Sequence, residues 1–373
     1  MQYDAISFFS GTGGSSLGYK LAGFNVLLSN EFVDAAWKCY EANFPNTICL
    51  HDDIRKLTGE QVLKAIGKKK GELHLMDGSP PCASFSTAGK REAGWGEVRQ
   101  YSDVKQRVDD LLFEHARMIG EIEPEVFVIE NVKGLVMGKA KDVYDEVKST
   151  LISKGYKVKT ALLNAKYFNV PQNRPRIIFI GVREDLNVEP SHPKPQTPPK
   201  AIKEVLHDVV NTPQEIEDAK YPEHYSVMKY LKQMKPGESG SDYNEKGSYF
   251  GLIRLHWDKP ANTIMQSDAK HISCSAIHPD EHRKLTIPEL KRVSTFPDDF
   301  QLLGDYKQNW ERIGRAVPPN MMKAIAEHIR YKILDVIHGQ ENDYSPPYYD
   351  EEAEKGQIGF DFGDEFTKGF KEY

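Results

Sequence analysis

The feature that most constrains this chain is its beginning, where a short apolar run leads directly into a glycine-rich loop. Residues 5–9 have the length and composition of a buried strand, and Ser10-Gly-Thr-Gly-Gly-Ser-Ser16 and a helical pattern follow. Strand, glycine loop and helix form the first unit of a doubly wound α/β sheet, whose loop admits a ligand to a helix N-terminus. Ser16 stands where a dinucleotide fingerprint has glycine or alanine, so the fingerprint is incomplete. The loop alone is compatible with NAD, FAD or S-adenosylmethionine.

Two carboxylates follow later apolar runs. The second predicted strand, residues 26–29, ends in Asn30-Glu31, and Asp52-Asp53 follow another short apolar stretch. A carboxylate about 20 positions after the glycine loop is placed to accept hydrogen bonds from ribose hydroxyls. Asp53 is placed to bind an adenine amino group. Spacing alone leaves two alternatives open, a solvated Glu31 that opens the next helix and an Asp53 that caps one.

A single cysteine follows a stiff turn. Residues 73–76 form a predicted buried strand, which Gly78, Pro80 and Pro81 are expected to stop abruptly. Proline fixes φ, so Cys82 would be held at the carboxyl end of that strand, the edge at which α/β sheets bind ligands. A thiol there is placed to act as a nucleophile if its pKa is lowered. A buried structural cysteine is the competing interpretation.

The middle of the chain carries a further candidate carboxylate, Glu130, and two arginines. A predicted helix over residues 108–122 precedes an apolar strand over 126–129, which delivers Glu130 to the same edge as Cys82. Glu130 is either a general acid or base or a hydrogen-bonded structural residue. Further strands are predicted at 157–163 and 177–182. Arg174 and Arg176, at alternate positions before the last strand, are expected to point to one side and supply positive charge.

Charge and cysteine content limit the class of protein. The formal net charge is −6, but the last 35 residues hold ten acidic and three basic side chains, so the body is nearly neutral. An acidic average therefore does not exclude a nucleic-acid partner. Four separated cysteines without a CxxC pair support neither a zinc knuckle nor a disulfide framework. No apolar run reaches membrane-spanning length and no targeting segment is evident, so we expect an intracellular protein.

Composition predicts two domains and a tail. A Pro/His/Lys-rich stretch begins near residue 189, and basic and aromatic groups mix around Arg254 and Lys270-His271, as on a nucleic-acid surface. An ordinary solvated insert is the alternative. Helical patterns resume at 287–295 and 320–337. We therefore predict a first domain (1–188 and 284–338), a smaller second domain (189–283) and an acidic tail (339–373), docked or mobile.

Taken together, the ordered motifs resemble those of the DNA (cytosine-5) methyltransferases over residues 5–337. They are Phe9-Ser-Gly-Thr-Gly-Gly14, Ser29-Asn30-Glu31, Asp53-Ile54, Gly78-Ser-Pro-Pro-Cys82 with Phe85-Ser86, Glu130-Asn131-Val132, Gln172-Asn-Arg-Pro-Arg176, Arg283-Lys-Leu-Thr with Phe296-Pro-Asp298, and Gly314-Arg-Ala-Val-Pro318. The resemblance implies an S-adenosylmethionine-dependent methyltransferase sheet of Rossmann-like type. It also implies that residues 1–188 and 284–338 form the catalytic and cofactor-binding domain and that residues 189–283 form a smaller target-recognition domain.

The resemblance also implies a mechanism. Cytosine C5 is a poor nucleophile, so the Cys82 thiolate adds first to C6 while Glu130 binds or protonates N3. C5 then takes the methyl group, and loss of the C5 proton expels Cys82. By similarity, Arg174 and Arg176 orient Glu130 and the base. No metal is required, and the target base must be flipped out of the duplex.

Binding roles carry over in the same way. For the cofactor, S-adenosylmethionine, the implied residues are Phe9, Gly11, Gly13, Gly14, Glu31, Phe32, Asp53, Ile54, Pro81, Leu111, Arg315, Ala316 and Val317. The candidates for contact with DNA, which no family motif specifies, are Ser86, Lys90, Arg91, Arg254, Lys259, Thr263 and Lys270. Residues 87–107 fit a loop that closes over the flipped base.

Three positions depart from the family pattern. Ala83 replaces the glutamine that usually follows the cysteine, Ser7 replaces an aspartate in the first strand, and Arg315 replaces an asparagine near the cofactor. A guanidinium pairs strongly with carboxylates. One hypothesis is therefore that Arg315 recognises carboxy-S-adenosyl-L-methionine, so that a carboxymethyl group is transferred. The alternatives are a contact of Arg315 with the ordinary methionine carboxylate or with DNA phosphate.

Rival functions are an amino-methyltransferase, suggested by Ser345-Pro-Pro-Tyr348, and a tRNA-modifying enzyme of the same fold. The first motif lies in the acidic tail with no buried strand before it, and the sizeable segment after Pro199 favours duplex DNA. We expect a monomer in the cytoplasm of a prokaryote, or a phage-encoded enzyme, that acts on double-stranded DNA. The sequence leaves two alternatives open, an enzyme paired with a restriction endonuclease for the same site and one without such a partner. The sequence does not specify the DNA word.

Overall fold

The computed structural model describes residues 1–81, 110–138, 140–245 and 247–349, and the backbone of 99–101 and 104–106. The strands are β1 (Asp4–Phe8), β2 (Asn25–Asn30), β3 (Ile48–Leu50), β4 (Leu75–Gly78), β5 (Arg99–Tyr101), β6 (Val104–Gln106), β7 (Val126–Val132), β8 (Tyr156–Asn164) and β9 (Pro175–Arg183). The helices are α1 (Gly14–Leu21), α2 (Asp34–Asn43), α3 (Gly59–Ala65), α4 (Leu111–Ile122), α5 (Ala140–Ser153), α6 (Lys203–Leu206), α7 (Pro213–Ala219), α8 (Met228–Leu231), α9 (Ile287–Val293), α10 (Tyr306–Arg315), α11 (Pro319–Ile329) and α12 (Asp335–Ile337), with a π-helical segment (Arg330–Leu334) between the last two.

Seven strands form one sheet in the order β3-β2-β1-β4-β7-β9-β8. The first five are parallel, whereas β9 runs antiparallel to both of its neighbours, β7 and β8. Strands β5 and β6 form a separate two-stranded antiparallel sheet. This confirms the predicted doubly wound α/β sheet, and it places the carboxyl ends of β1, β2, β4 and β7 along one edge.

Apolar residues cover both faces of the sheet, which accounts for the continuous apolar runs in the sequence. On one face, Met76 and Phe127 pack in a core with residues of α4 and α5. On the other face, Leu75 and Val128 pack with Tyr19 of α1 and residues of α11. Neighbouring residues of a strand therefore face different cores, and this alternation decides which side chains can meet at the edge.

One predicted strand was placed wrongly. The strand before Cys82 spans Leu75–Gly78 rather than residues 73–76. Gly78 does not stop it, because Gly78 still pairs with Phe8 of β1 and Ile129 of β7. The glycine is needed for packing, since a Cβ atom there would lie 2.3 Å from the His115 ring.

A second core, separate from the apolar layers on the two faces of the sheet, lies in the second half of the chain. It contains Ile202, Leu231 and Ile277, together with Leu290 of α9 and Trp310 of α10. The predicted boundary at residue 284 stays a prediction, and helices from beyond it share this core. Gln172 and Arg174 join the core to the sheet, because Gln172 Oε1 accepts the Ile264 N–H at 3.2 Å and Arg174 donates to the Ile264 carbonyl oxygen at 3.2 Å.

The first part of the predicted tail lies on the body of the protein. The Tyr344 ring stacks on Tyr331 with 4.3 Å between centroids, and the Tyr349 N–H donates to the Pro195 carbonyl oxygen at 3.0 Å. Residues 350–373 lie outside the described part. In the described ranges, none of the helices has the length and apolar character needed to cross a membrane.

Candidate active site

The glycine loop is shaped by packing as well as by access for a ligand. Gly11 and Gly13 have φ of +55° and +98°, values that favour glycine. A Cβ at Gly13 would lie 2.2 Å from the Phe44 ring, and one at Gly14 would lie 2.2 Å from the Val317 carbonyl oxygen. The loop thus lies directly against the turn that contains Val317.

A pocket opens beside this loop at the carboxyl edge of the sheet, with an empty volume of about 870 Å³ that includes open solvent. It brings together most of the residues predicted for the cofactor. Its wall includes Phe9, Gly11, Gly14, Glu31, Phe32, Asp53, Ile54, Pro81, Leu111, Arg315, Ala316 and Val317. Gly13 is outside the wall and contacts Phe44 instead, so its role is in the packing of the loop.

Glu31 is fixed by the backbone. Its Oε2 accepts the Gly11 N–H at 2.9 Å and its Oε1 accepts the Val33 N–H at 2.7 Å. Burial raises the pKa of Glu31, while these two N–H groups and the charges of Arg315 and Arg312 oppose the rise. Each oxygen keeps a lone pair for a further donor, as a ribose hydroxyl would require.

Asp53 both caps a turn and lines the pocket. Its Oδ1 accepts the Arg55 N–H at 3.0 Å, at the start of the 3-10 helix Ile54–Lys56, and Arg55 Nη1 lies 2.8 Å from Oδ2. Arg55 also pairs with Asp110 at 2.7 Å. Asp53 therefore does cap a helix, as the alternative interpretation expected. Arg55 also holds the Asp53 carboxylate at the pocket wall.

Two buried hydroxyl oxygens in the pocket wall have no hydrogen-bond partner among the described residues, Thr12 Oγ1 and Ser79 Oγ. Buried polar atoms are usually satisfied, so such atoms at a pocket wall indicate a polar ligand. Neither residue was predicted from the sequence as a contact of the cofactor. Thr12 lies inside the glycine motif and Ser79 inside the proline turn, so position within a motif is the signal that could have found them.

The catalytic candidates meet at the end of β7. Arg176 Nε lies 2.8 Å from Glu130 Oε1, and the two side chains are only 11% and 9% exposed. Asn131 Nδ2 donates to the Pro80 carbonyl oxygen at 3.3 Å, which ties β7 to the proline turn. Cys82 lies outside the described residues, but Pro81 before it lines the pocket. A buried carboxylate with a guanidinium partner thus stands next to the predicted nucleophile turn.

Arg174 lies elsewhere than expected. Its described contacts are mainly with backbone oxygens, those of Gly314 and Arg315 from Nη2 at 3.1 and 3.4 Å and that of Ile264 from Nη1 at 3.2 Å. Only Arg176 belongs to β9, so the strand alternation that was expected to align the two side chains does not apply to Arg174. Arg174 thus clamps the end of α10 to the second core, and its predicted role beside Glu130 stays a prediction.

Two buried ionisable groups near the nucleophile turn were not anticipated. Asp77, one residue before Gly78, accepts hydrogen bonds from Ser7 Oγ at 2.8 Å and Tyr19 Oη at 3.1 Å, and burial raises its pKa to about 7. His115, under Gly78 on the opposite face, has its pKa lowered to about 3 by burial. Where the family pattern has an aspartate in the first strand, this chain has Ser7. Asp77 supplies a carboxyl group next to that position, because it is the register partner of Ser7 on the neighbouring strand.

The residues predicted to read DNA have different surroundings. Arg254 is buried and donates to the carbonyl oxygens of Leu231, His278, Pro279 and Glu281, so this prediction is wrong: its guanidinium holds the second core together. Thr263 Oγ1 donates to the Asn173 carbonyl oxygen at 2.7 Å. Two lysines are exposed, Lys259 and Lys270. Ser86, Lys90 and Arg91 lie outside the described residues.

Arg315 lines the pocket, but it already has partners. Its Nη2 lies 2.6 Å from Glu311 Oε1, and its Nε donates to Gln266 Oε1. Glu311 Oε2 in turn lies 3.0 Å from Lys270 Nζ. Arg315 therefore links the pocket wall to the 3-10 helix Gln266–Ala269 of the second core.

One group of possible metal ligands occurs among the described residues, far from this pocket at the amino ends of the strands: His74, Glu125 and His338. Their atoms are in use within the protein. His74 Nδ1 accepts the Asp4 N–H at 3.0 Å, and His338 Nε2 lies 2.8 Å from Glu125 Oε2. These contacts explain the group as a link between strand ends and the last helix.

Comparisons with known proteins agree with this geometry. The family described as C-5 cytosine-specific DNA methylase matches residues 3–331. The chain is 34% identical over 347 residues to the type II methyltransferase M.PspPI of Psychrobacter sp., a match that covers 88% of this chain and 79% of that protein. It is 33% identical over 340 residues to M1.HphI of Haemophilus parahaemolyticus, covering 88% and 87%.

Solved structures show a similar fold at lower identity. A protein described as a DNA modification methyltransferase encoded within an Escherichia coli prophage superposes with a TM-score of 0.69 at 20% identity, over 89% of this chain and all of that one. DNMT2 of Spodoptera frugiperda superposes with a TM-score of 0.64 at 16% identity, over 90% of this chain and all of that one. At such identities the likeness concerns the fold.

Proposed function

The chain belongs to the C-5 cytosine-specific DNA methylases, and from that membership we propose that Cys82 and Glu130 are its reacting pair. The enzyme is a DNA (cytosine-5-)-methyltransferase, EC 2.1.1.37, that methylates cytosine in a specific DNA sequence. The observation that carries the residue assignment is the buried Glu130–Arg176 ion pair at the end of β7, which Asn131 connects to the turn preceding Cys82.

The site chemistry follows from these side chains. The Cys82 thiolate forms a bond to C6 of the flipped cytosine, and a proton from Glu130 goes to N3, so C5 becomes an enamine-like nucleophile. Arg176 stabilises the Glu130 carboxylate left behind. Once C5 has been alkylated, N3 returns its proton to Glu130, a base removes the C5 proton, and the C6–sulfur electron pair returns to Cys82. A metal ion has no part in these steps.

S-adenosylmethionine is the cofactor that membership of this family implies, and it supplies the electrophilic methyl group. The pocket residues fit it. Glu31 offers two oriented oxygens to ribose hydroxyls, and Asp53 lies at the adenine end beside Ile54. Among the described residues, Thr12 Oγ1 and Ser79 Oγ in the wall have no hydrogen-bond partner, as expected for a site that binds a polar molecule.

The carboxylated cofactor is not favoured by the contacts of Arg315. Its guanidinium is ion-paired with Glu311 and bonded to Gln266, so a ligand carboxylate would have to compete with a buried glutamate. Amino-group transfer is not favoured either, because residues 345–349 lie in no strand. Methyl transfer to C5 therefore remains the single function proposed.

Double-stranded DNA is the substrate, with the base flipped out of the helix. We assign sequence reading to the second half of the chain, residues 189–283, where Lys259 and Lys270 are the exposed basic candidates of the predicted set. The names of the type II relatives support a restriction endonuclease as a partner that acts on the same site. We propose that the enzyme is a monomer.

Trapping tests the assignment. DNA that contains 5-fluorocytosine cannot lose a proton from C5, so Cys82 should remain bonded to the base and the complex should migrate as a covalent adduct on a denaturing gel. Cys82→Ser should give none, while Cys49→Ser, which changes a half-buried thiol on β3, should give the parent amount. Glu130→Gln should lower the rate roughly 100- to 10,000-fold. An adduct formed by Cys82→Ser would refute the proposal.

A further inference from the structure

A buried carboxylate, Glu311 of α10, joins an exposed lysine to the wall of the cofactor pocket. Glu311 Oε2 lies 3.0 Å from Lys270 Nζ, and Glu311 Oε1 lies 2.6 Å from Arg315 Nη2. The Glu311 side chain is 6% exposed, whereas that of Lys270 is 56% exposed. Arg315 lines the pocket. These three side chains, which we call the Glu311 bridge, therefore connect the solvent-exposed surface of the second half of the chain with the cofactor pocket.

The bridge rests on a closely packed joint between α10 and the 3-10 helix that begins at Gln266. Trp310 Nε1 donates to the Met265 carbonyl oxygen at 2.9 Å, and a Cβ atom at Gly314 would lie 2.6 Å from the backbone nitrogen of Gln266. Arg315 Nε donates to Gln266 Oε1. Interiors packed this closely do not deform continuously. The charge at the pocket wall can therefore change with the partners of the bridge while the helix stays in place.

The charge of the bridge matters to a ligand because the pocket wall holds other charged groups. Arg315 and buried Arg312 are near enough to Glu31 for their charges to oppose the rise in its pKa. S-adenosylmethionine carries a sulfonium, an ammonium group and one carboxylate, so it is a cation overall. Its product, S-adenosylhomocysteine, has lost the sulfonium charge and is neutral overall. A positive charge near the pocket therefore disfavours the substrate relative to the product, and a negative charge favours it.

We propose that Glu311 couples DNA binding to the choice between the cationic cofactor and its neutral product. This rests on the proposed function, in which residues 189–283 face DNA. In the free enzyme Lys270 and Arg315 share the Glu311 carboxylate. When a DNA phosphate pairs with Lys270, the carboxylate is left to Arg315 and the wall loses a neighbouring positive charge. S-adenosylmethionine then gains over S-adenosylhomocysteine, and Glu311 acts as a positioning residue. By linkage, the enzyme with S-adenosylmethionine bound holds DNA more tightly.

Sinefungin allows this coupling to be measured without turnover. It carries an amino group, protonated at neutral pH, in place of the methyl group on sulfur, so it is a cation like S-adenosylmethionine. Isothermal titration calorimetry of the full chain gives the Kd of sinefungin and the Kd of S-adenosylhomocysteine, with and without excess sheared phage λ DNA. We define the cation preference as the second Kd divided by the first. In the wild type, DNA should raise this preference about three- to tenfold.

Four variants separate the bridge from the general negative charge of DNA. Lys270→Met removes the lysine, so the free enzyme should already have the higher preference and DNA should raise it less than about twofold. Lys259→Met removes an exposed lysine outside the bridge and should keep the rise seen in the wild type. Glu311→Gln should lower the preference of the free enzyme about three- to tenfold. Adding Arg315→Gln to Glu311→Gln should restore it, because the opposing charge is then removed as well.

The ratio of two Kd values distinguishes a charge effect from damage to the fold, since a distorted pocket weakens both ligands. A wild-type preference that DNA leaves unchanged would overturn the proposal. So would an unchanged preference in Glu311→Gln, or a rise in Lys270→Met as large as in the wild type. Trapping by 5-fluorocytosine DNA keeps the two questions apart. Without an adduct the proposed function fails, whereas an adduct together with a preference that ignores DNA refutes only the coupling.

Discussion

Replacing Asp77 should change how the stability of this protein depends on pH. In the unfolded chain an aspartate has a pKa near 3.8, and burial raises it to about 7 in the folded protein. The folded state therefore binds the proton more tightly. Its stabilising contribution is fully present below about pH 4 and is lost as the pH rises through about 7. A difference of about three pH units corresponds to about 4 kcal/mol, which is an upper bound for this one group.

Asp77→Asn cannot ionise, so its free energy of unfolding should not contain this loss. Measured by urea denaturation, the variant should gain on the wild type by about 1.4 kcal/mol per pH unit between about pH 5 and about pH 7, and the gain should then level off. Asp185→Asn is a control for which the free energy of unfolding should change in the opposite direction. Arg183 lowers the pKa of exposed Asp185, so its replacement should cost less than about 1 kcal/mol, and only above the acid range. A difference between Asp77→Asn and wild type that is the same at every pH would refute the reasoning.

Three further substitutions test other parts of the structure. Gly13→Ala should lose about 2–4 kcal/mol of stability in urea, because φ is +98° and the new Cβ meets the Phe44 ring, whereas Gly67→Ala, with φ of +66° and open space, should lose only about 1 kcal/mol. Arg254→Met should lose about 3–5 kcal/mol and leave the salt dependence of DNA binding unchanged, because this side chain bonds carbonyl oxygens of its own core. Glu31→Gln should raise the KM for S-adenosylmethionine about tenfold with a smaller change in kcat, since it alters an acceptor for ribose hydroxyls, and an unchanged KM would contradict that placement.

The sequence predicted those parts of the fold that depend on local pattern. The glycine loop, the apolar strands and the acidic residues after them were sufficient to predict the sheet and the wall of the pocket around Glu31 and Asp53. The error at β4 has a local cause. Gly78 looks like a strand terminator, but in the fold it is a strand residue whose missing side chain makes room for His115.

Other features could not be predicted because they depend on contacts between distant segments. Arg254 and Arg174 look like surface or catalytic cations in the sequence, and only the fold shows that carbonyl oxygens from remote turns surround both guanidinium groups. Asp77 is similar, since its significance depends on the pairing of β4 with β1 and β7. Residue type and spacing within one segment do not specify which residues of distant parallel strands become register partners.

The position of Arg174 has a practical consequence for chimeric enzymes. An exchange of residues 189–283 for the corresponding part of another family member would replace Ile264, whose carbonyl oxygen Arg174 binds, but keep Gly314 and Arg315, which the same guanidinium holds. A transplanted segment with a different turn at that point would leave the buried Arg174 guanidinium without the acceptor that the Ile264 carbonyl oxygen provides. Engineers who wish to alter the DNA word should therefore move the Gln172–Arg174 stretch and the end of α10 together with the inserted segment.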